Sequence, residues 1–367
     1  MYIDMIRSFC TKSKGYFVNN DNFRQQAFVS LAFRKDLCYD KIRYGNRPPN
    51  GGNILTKIQK GMLAGFSGNF IFGLSFLFST RAFSTAERLL KDAGVMNGAD
   101  VPVVLSVRFI FAFLLMTALL PFLKIKLSFR RKPIFKLVLL GIFQPVVYFI
   151  GESFGLKQTG IVVSSVMIAL VPVLCQIFSA LVLHEPPKFL QVLFCVLSVG
   201  GVVVVTVGSS DGGGKTYLSG LIFLTVAVVS AVAFNILSRD LAKDFTPFER
   251  TYFMFIDAAI FFTVYALVAT RFQPLLIVKP LVIPEYVISI LYLGGLSSIF
   301  AYLMVNYSNT YLPLTRSTVF SSVITVVSTT AGFCVDPHSF SVTNVIACLV
   351  ILVGIWGVQR FAETPKQ

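Results

Sequence analysis

Residues 141–152 read Gly141-Ile-Phe-Gln144-Pro-Val-Val-Tyr148-Phe-Ile-Gly-Glu152, and residues 295–306 read Gly295-Leu-Ser-Ser298-Ile-Phe-Ala-Tyr302-Leu-Met-Val-Asn306. A glycine, a tyrosine and polar residues inside an apolar run fall at matching places, 154 positions apart. Further along, Gly201 and Gly354 keep nearly that spacing, at 153. The pattern indicates an internal duplication. If each copy holds an odd number of membrane spans, the copies are inverted, which is typical of proteins that bind a ligand at the bilayer midplane and work by alternating access.

The composition excludes a soluble protein. The chain has 367 residues, of which 55% are hydrophobic and 13% charged, and its mean hydropathy is +0.75. Soluble domains carry about twice that fraction of charge. The six cysteines are scattered without CxxC spacing, so we expect them to be small buried hydrophobic residues, with no metal site and no cofactor.

The net charge of +15 is distributed as in a membrane protein. Residues 1–60 hold eleven Lys and Arg against four Asp, and a second basic cluster spans 124–136 without an acid. Positive charge gathered beside apolar spans sets orientation in a membrane. Since no aromatic-basic nucleic-acid motif accompanies it, no nucleic-acid partner is expected.

The chain divides into an extension and two halves. Residues 1–60 are polar and predict a basic cytoplasmic extension, with a start of translation at Met62 as the alternative. The regions 61–208 and 217–360 each hold five apolar segments near the roughly 20 residues that a helix needs to cross a bilayer. The predicted spans are 61–80, 102–123, 134–155, 160–182, 189–208, 217–237, 251–270, 286–307, 312–334 and 342–360. The predicted fold class is all-α integral membrane, with ten transmembrane helices as two five-helix inverted repeats.

The loops predict the orientation. Most connections are short, and the longer ones are expected at 83–101, 124–133, 238–250 and 271–285. With the amino terminus inside, the cluster 124–136 and Arg239 fall in the cytoplasm, while Glu87 and Asp92 fall outside. Both termini are then cytoplasmic, and the expected location is the cytoplasmic (inner) membrane as a multi-pass protein.

Short motifs recur in order in both halves. The first half has Arg108-Phe109, the small-residue helix Ile161–Val173 with Pro172, and Gly200-Gly201, and the second half has Ser317–Thr325 and Gly354-Ile-Trp-Gly357. Over about residues 62–360 the chain resembles the EamA type of the drug/metabolite transporter superfamily. Departures are His184 where the family often has Gly, Thr325 in place of a second Pro, and Asp336-Pro-His338 in place of a second Gly-Glu.

The resemblance implies a ten-helix secondary transporter, often an exporter of amino acids or other metabolites. The expected partners are a small-molecule substrate and the lipid bilayer, with protons as a candidate coupling ion. The substrate and the oligomeric state stay open.

Polar residues inside the predicted spans are the candidates for a substrate cavity, because charged groups at the bilayer centre cost about 2.5–3.5 kcal/mol and seldom face lipid. Gln144, Tyr148 and Glu152 are spaced i, i+4, i+8 and form one helical stripe. Their repeat mates form a second stripe, and two further candidates lie on the first and sixth spans: Ser298, Tyr302, Asn306, Asn69 and Asn235. Interhelical hydrogen bonding is the alternative role for all of them.

Three charged residues are candidates for coupling or anchoring. A carboxyl group held away from water is costly to ionise, so Glu152 suits proton coupling or capture of a substrate amine. Arg108 is either a structural ion-pair partner of Glu152 or an anchor for a substrate carboxylate. Asp257 is either a second titrating group or a partner for Arg250.

Two other classes of function compete with a transporter. A facilitator or channel-like pore for small solutes needs no coupling residue. A membrane enzyme would need clustered catalytic side chains, but His184 and His338 fall on opposite sides of the predicted membrane. No enzymatic activity is therefore expected.

Overall fold

The computed structural model of the chain describes residues 57–95, 98–123, 134–183, 189–208, 214–312, 317, 320–335 and 342–361. Every regular element within these ranges is helical. The chain separates into one compact unit of Leu55–Met116 with Arg131–Gln367 and a second of Met1–Ile54 with Thr117–Arg130. Of the second unit, the described part is the helix end 117–123, and everything below concerns the first.

The helices follow the apolar segments along the chain. The α-helices are α1 (Lys57–Asp92), α2 (Asp100–Leu123), α3 (Ile134–Gly141), α4 (Tyr148–Ile168), α5 (Val171–Leu183), α6 (Phe189–Gly208), α7 (Gly214–Leu241), α8 (Pro247–Ala269), α9 (Pro274–Val278), α10 (Pro284–Ile290), α11 (Tyr302–Tyr311), α12 (Ser321–Val335) and α13 (Val342–Arg360). Two π-helical segments, Ile142–Val147 and Leu291–Ala301, join α3 to α4 and α10 to α11, and a 3₁₀ turn spans Lys279–Val282.

Six helices within the described residues are long and apolar enough to cross a membrane. They are Gln59–Asp92, Asp100–Pro121, Ile134–Ile168, Tyr217–Leu241, Pro247–Ala269 and Pro284–Tyr311. Three shorter apolar helices accompany them, Val192–Val205, Ser321–Val335 and Val345–Gly357. The all-helical membrane class is confirmed, and the count of ten spans stays a prediction.

The first predicted loop is largely helical, contrary to the prediction of a connection over 83–101. Helix α1 continues to Asp92, through a stretch rich in Ala, Leu, Glu, Arg and Lys, which are strong helix formers. Glu87 and Lys91 are one turn apart and form an ion pair of 3.0 Å, a spacing that stabilises helices. The predicted extension lies outside the described residues up to residue 56, and Lys57 already belongs to α1. The basic positions 124–132, His184 and His338 also lie outside the described residues.

The helical run from Ile134 to Ile168 is broken twice. Gln144 has the extended dihedrals φ −144°, ψ 118°, because the ring of Pro145 disfavours helical geometry at the preceding residue. Gly160 has φ 81°, ψ 175°, a conformation that only glycine adopts easily. The second break falls where the prediction begins its fourth span.

A glycine pair sets the distance between α4 and α7. A Cβ atom at Gly151 would lie 2.5 Å from the carbonyl oxygen of Phe223, and one at Gly155 would lie 2.5 Å from Leu224. Gly151-xxx-Gly155 is the small-xxx-small spacing that lets membrane helices approach closely. The two helices therefore pack backbone to backbone, which fixes the position of Glu152.

Helices α6 and α13 pack against each other through a second set of glycines. A Cβ atom at Gly354 would lie 2.8 Å from Ser198, and one at Gly201 would lie 2.7 Å from Ile351. The other faces of both helices are apolar and exposed, and Trp356, the one tryptophan of the chain, lies on the outer face of α13 with 61% of its surface exposed.

Candidate substrate cavity

A cavity of about 70 Å³ lies among α1, the broken helix α3–α4, α7, α11 and α12. One water needs about 10–15 Å³, so the cavity has room for roughly five to seven waters or a small solute. Its polar lining consists of Asn69, Ser75, Gln144, Tyr148, Glu152, Asn235, Tyr302, Asn309, Ser317 and Ser321. The rings of Phe72, Phe76, Phe149 and Phe234 form apolar walls. The cavity thus brings together six of the eight predicted cavity residues: Asn69, Gln144, Tyr148, Glu152, Asn235 and Tyr302.

Glu152 is the one charged residue of this lining in the part of the chain that the structure describes. It is 7% exposed and follows Gly151, whose close contact with α7 holds it at the cavity wall. Tyr148 lies one turn earlier on the same helix and lines the same cavity. The Tyr148 ring packs edge to face on Phe149, with centroids 5.1 Å apart.

Gln144 enters the cavity from the break in the helix. The carbonyl oxygen of Phe143, beside the break, accepts hydrogen bonds from the backbone N–H of Tyr148 and from the hydroxyl of Ser230 on α7, the latter at 2.5 Å. Ser230 therefore stabilises the irregular backbone that presents Gln144.

Asn69 on α1 and Asn235 on α7 make the same local hydrogen bond. The amide nitrogen of Asn69 donates to the carbonyl of Gly65 at 2.6 Å, and that of Asn235 donates to the carbonyl of Ala231 at 2.8 Å. A backbone carbonyl can only accept, so this contact fixes which end of each amide is the nitrogen. Both side chains therefore have their carbonyl oxygens on the other side.

Arg108 is fully buried beside the cavity but is not among its lining residues. Its guanidinium donates to the hydroxyl groups of Ser298 at 2.9 Å and Ser297 at 3.2 Å. The ring of Phe149, which does line the cavity, lies over the guanidinium carbon at 4.3 Å. Arg108 and Glu152 act on each other electrostatically, yet the described residues include no ion pair within 4 Å between them.

The second predicted stripe splits, because its members meet different partners. Ser298 lies in the π-helical segment and bonds Arg108. Asn306 is fully buried; it accepts from Ser238 at 2.9 Å and donates to Thr251 at 2.9 Å. Tyr302 alone of this stripe lines the cavity.

Asp257 lies outside the cavity lining, on α8 against α3. Its carboxylate contacts Gly141, the last residue before the helix break. Its Oδ2 atom is buried and has no hydrogen-bond partner among the residues that the structure describes. Arg250 instead donates to the carbonyl of Ser238 at 2.5 Å and to that of Asn306 at 2.9 Å, so the two residues bind different groups.

The sequence-based candidates omitted Asn309, Ser75 and the phenylalanines. Asn309 is seven residues after Tyr302, which places it on the same helix face, and its amide nitrogen lies 3.4 Å from the Asn235 carbonyl oxygen. That spacing could have identified it. Nothing local distinguishes Phe72 and Phe149 from the lipid-facing phenylalanines.

Comparisons with known proteins agree with this architecture. The sequence model of the EamA-like transporter family matches the chain twice, at residues 59–207 and 218–360. The chain is 29% identical to the uncharacterized transporter YcxC of Bacillus subtilis over 297 residues, covering 79% of this chain and 89% of YcxC. It is 26% identical to an uncharacterized transporter of Archaeoglobus fulgidus, over 63% of this chain and 79% of that protein.

A solved crystal structure has the same fold, with a TM-score of 0.57 at 18% identity over 81% of this chain and 95% of the other. The family model matches the chain twice and covers most of its apolar sequence. The relatives from a bacterium and an archaeon are both named as transporters. The chain belongs to the EamA-like transporter family.

Proposed function

We propose that the protein is a secondary transporter that exports a small metabolite, such as an amino acid or a related compound, across the cytoplasmic membrane by alternating access. One observation carries the proposal: the cavity is lined from both regions that match the family model. Glu152 and Asn69 come from the first region, and Tyr302, Asn235 and Asn309 come from the second. A site shared by two repeats is what rocking of one repeat against the other requires.

The proposed topology has ten spans in two inverted repeats of five, within 61–208 and 217–360, with both termini in the cytoplasm. The break at Gly160 supports a division of the long run Ile134–Ile168 between two spans. The shorter apolar helices within α6, α12 and α13 complete the count. Basic residues at the proposed inner ends support the orientation.

We assign proton coupling to Glu152. Among the described lining residues, Glu152 is the one with a charged side chain. A proton and a substrate can compete for its carboxylate. Arg108 is proposed as the fixed charge that balances it. Asp257 is proposed as a second titrating group, since its unpartnered oxygen contacts the glycine before the helix break.

Transport in proteoliposomes across a range of pH tests the coupling. The wild-type protein is expected to show a pH-dependent rate, and Glu152→Gln a slower rate with a flat pH profile, because glutamine keeps the shape and cannot titrate. Glu285→Gln is the matched control, since Glu285 is exposed at the start of α10. A variant at Glu152 with the wild-type pH profile would exclude the coupling role.

Counterflow separates a transporter from a channel-like pore. A transporter returns its site across the membrane with substrate bound, so substrate on the far side accelerates uptake of labelled substrate. A pore shows no such trans-stimulation and no saturation. Uptake that rises linearly with concentration, without trans-stimulation, would reject alternating access.

A further inference from the structure

Resting on the proposed function, the chemistry of the cavity narrows its substrate. We propose that the cavity binds a small primary ammonium ion without a carboxylate, in preference to the corresponding zwitterionic amino acid. The ammonium group donates to the Glu152 carboxylate and to the amide oxygens of Asn69 and Asn235, and the alkyl part lies against the aromatic walls.

The first observation concerns charge. Glu152 is the single charged lining residue in the described part of the chain, so the cavity offers an anion and no cation. The buried cation Arg108 is not a lining residue; it donates to Ser297 and Ser298, and the ring of Phe149, which does line the cavity, lies over its guanidinium carbon. A substrate carboxylate would therefore approach Glu152, which repels it, with no guanidinium to meet it.

The second observation concerns hydrogen bonds. Several lining groups direct a donor hydrogen to other protein atoms: Asn69 to Gly65, Asn235 to Ala231, and Ser75 to the carbonyl of Phe72 at 2.6 Å. The Ser75 hydroxyl is left with acceptor capacity only, and each amide keeps acceptor capacity on its carbonyl oxygen beside one further N–H hydrogen. A primary ammonium group has three donors and no acceptor, whereas a carboxylate only accepts.

The third observation concerns the walls. Tyr302 packs edge to face on Phe72, with centroids 5.0 Å apart and an interplanar angle of 82°. It also packs on Phe234, at 6.3 Å and 89°. Rings set at right angles present π faces in different directions around one space. A cation within about 6 Å of such a face is attracted to it.

Three ligands of related shape test the preference by calorimetry on the purified full-length protein: leucine, leucine methyl ester and isoamylamine. The ester has the size of the amino acid without its negative charge, so it separates charge from volume. We expect isoamylamine and the ester each to bind at least tenfold more tightly than leucine. Leucine binding as tightly as the other two, or no measurable binding of isoamylamine, would overturn the proposal.

Variants assign the contacts. Glu152→Gln is expected to weaken isoamylamine binding at least tenfold, and Glu285→Gln, with an exposed carboxylate, less than twofold. Asn69→Leu and Asn235→Leu, which each remove one acceptor, are expected to weaken it about 2- to 10-fold. These two variants decide the matter if Glu152→Gln does not fold. Wild-type affinity in both would overturn the assigned contacts.

Counterflow with labelled leucine and labelled isoamylamine keeps this inference apart from the proposed function. Trans-stimulated flux of leucine alone would leave the transporter standing and reject the ammonium substrate. Trans-stimulated flux of isoamylamine supports both.

Discussion

The carboxylate of Asp257 occupies the space beside Gly141 that a side chain at residue 141 would need. Gly295, which corresponds to Gly141 in the second repeat, has no such neighbour, since a Cβ atom there would lie 3.9 Å from Phe111, an ordinary contact. One glycine of the repeated pair is therefore required by a polar contact, and the other is not. The two positions form a matched pair for substitution.

Gly141→Ala is expected to lower the free energy of unfolding by about 1–3 kcal/mol, because the added methyl group collides with a buried carboxylate. Gly295→Ala is expected to leave it nearly unchanged. Thermal unfolding in detergent measures both. The double variant Gly141→Ala/Asp257→Ala is expected to recover stability. Equal stability of Gly141→Ala and Gly295→Ala would contradict the close contact.

Asn306 illustrates a polar residue in a span whose partners are protein groups. Its hydrogen bonds to Ser238 and Thr251 are both 2.9 Å long and fully buried. Asn306→Leu is expected to lower stability by about 1–3 kcal/mol, because it leaves those hydroxyl groups short of a partner. The KM of transport is expected to stay within twofold. A selective rise in KM at unchanged stability would place Asn306 at the substrate instead.

At the scale of elements, the packing of α4 on α7 and the break at Gln144 determine the cavity. Gly151 lets α7 approach to backbone contact, and Ser230 on α7 donates to the carbonyl of Phe143 beside the break. Helix α7 therefore holds both the regular and the irregular part of the chain that presents Glu152 and Gln144.

Gly151→Leu is expected to abolish accumulation of folded protein, since the new side chain has no space between α4 and α7. Gly200→Leu is the control, because nothing lies within 4 Å of a Cβ atom there. Size-exclusion elution of detergent extracts compares the two. Normal elution of Gly151→Leu would show that the helices separate without loss of the fold.

The stripe on one helix could be predicted from the sequence, but the pairing of two stripes could not. Tyr148 and Glu152 are one turn apart on α4 and both line the cavity as the periodic pattern predicts, whereas Gln144 reaches the cavity from the helix break. Ser298 and Asn306 carry the same periodicity, but Arg108 and Ser238, 190 and 68 positions away, bind them. A local pattern records which residues share a face, and it carries no information on which distant side chain meets that face. The sequence-based span ends at residue 80, whereas α1 continues to Asp92, because hydropathy does not mark its last turns, which are charged and polar.

At the scale of the whole molecule, the proposed topology places the end of α1 outside and the turn after α7 inside. Ala93 and Lys243 are both exposed in these turns. In a variant without native cysteines, Ala93→Cys is expected to react with an impermeant maleimide in intact cells. Lys243→Cys is expected to react only after permeabilisation. Labelling of both positions in intact cells would contradict an odd number of spans between Ala93 and Lys243, and the reverse order would contradict the proposed orientation.

The outward position of Trp356 has a practical consequence for spectroscopy. The one indole of the chain faces away from the protein on α13 and is not among the residues that line the cavity. Its emission spectrum is therefore a gauge of the surrounding lipid or detergent, and brominated lipids are expected to quench it whether or not ligand is bound. A fluorescent readout of occupancy needs a new indole at a wall position such as Phe234, combined with Trp356→Phe to silence the native signal.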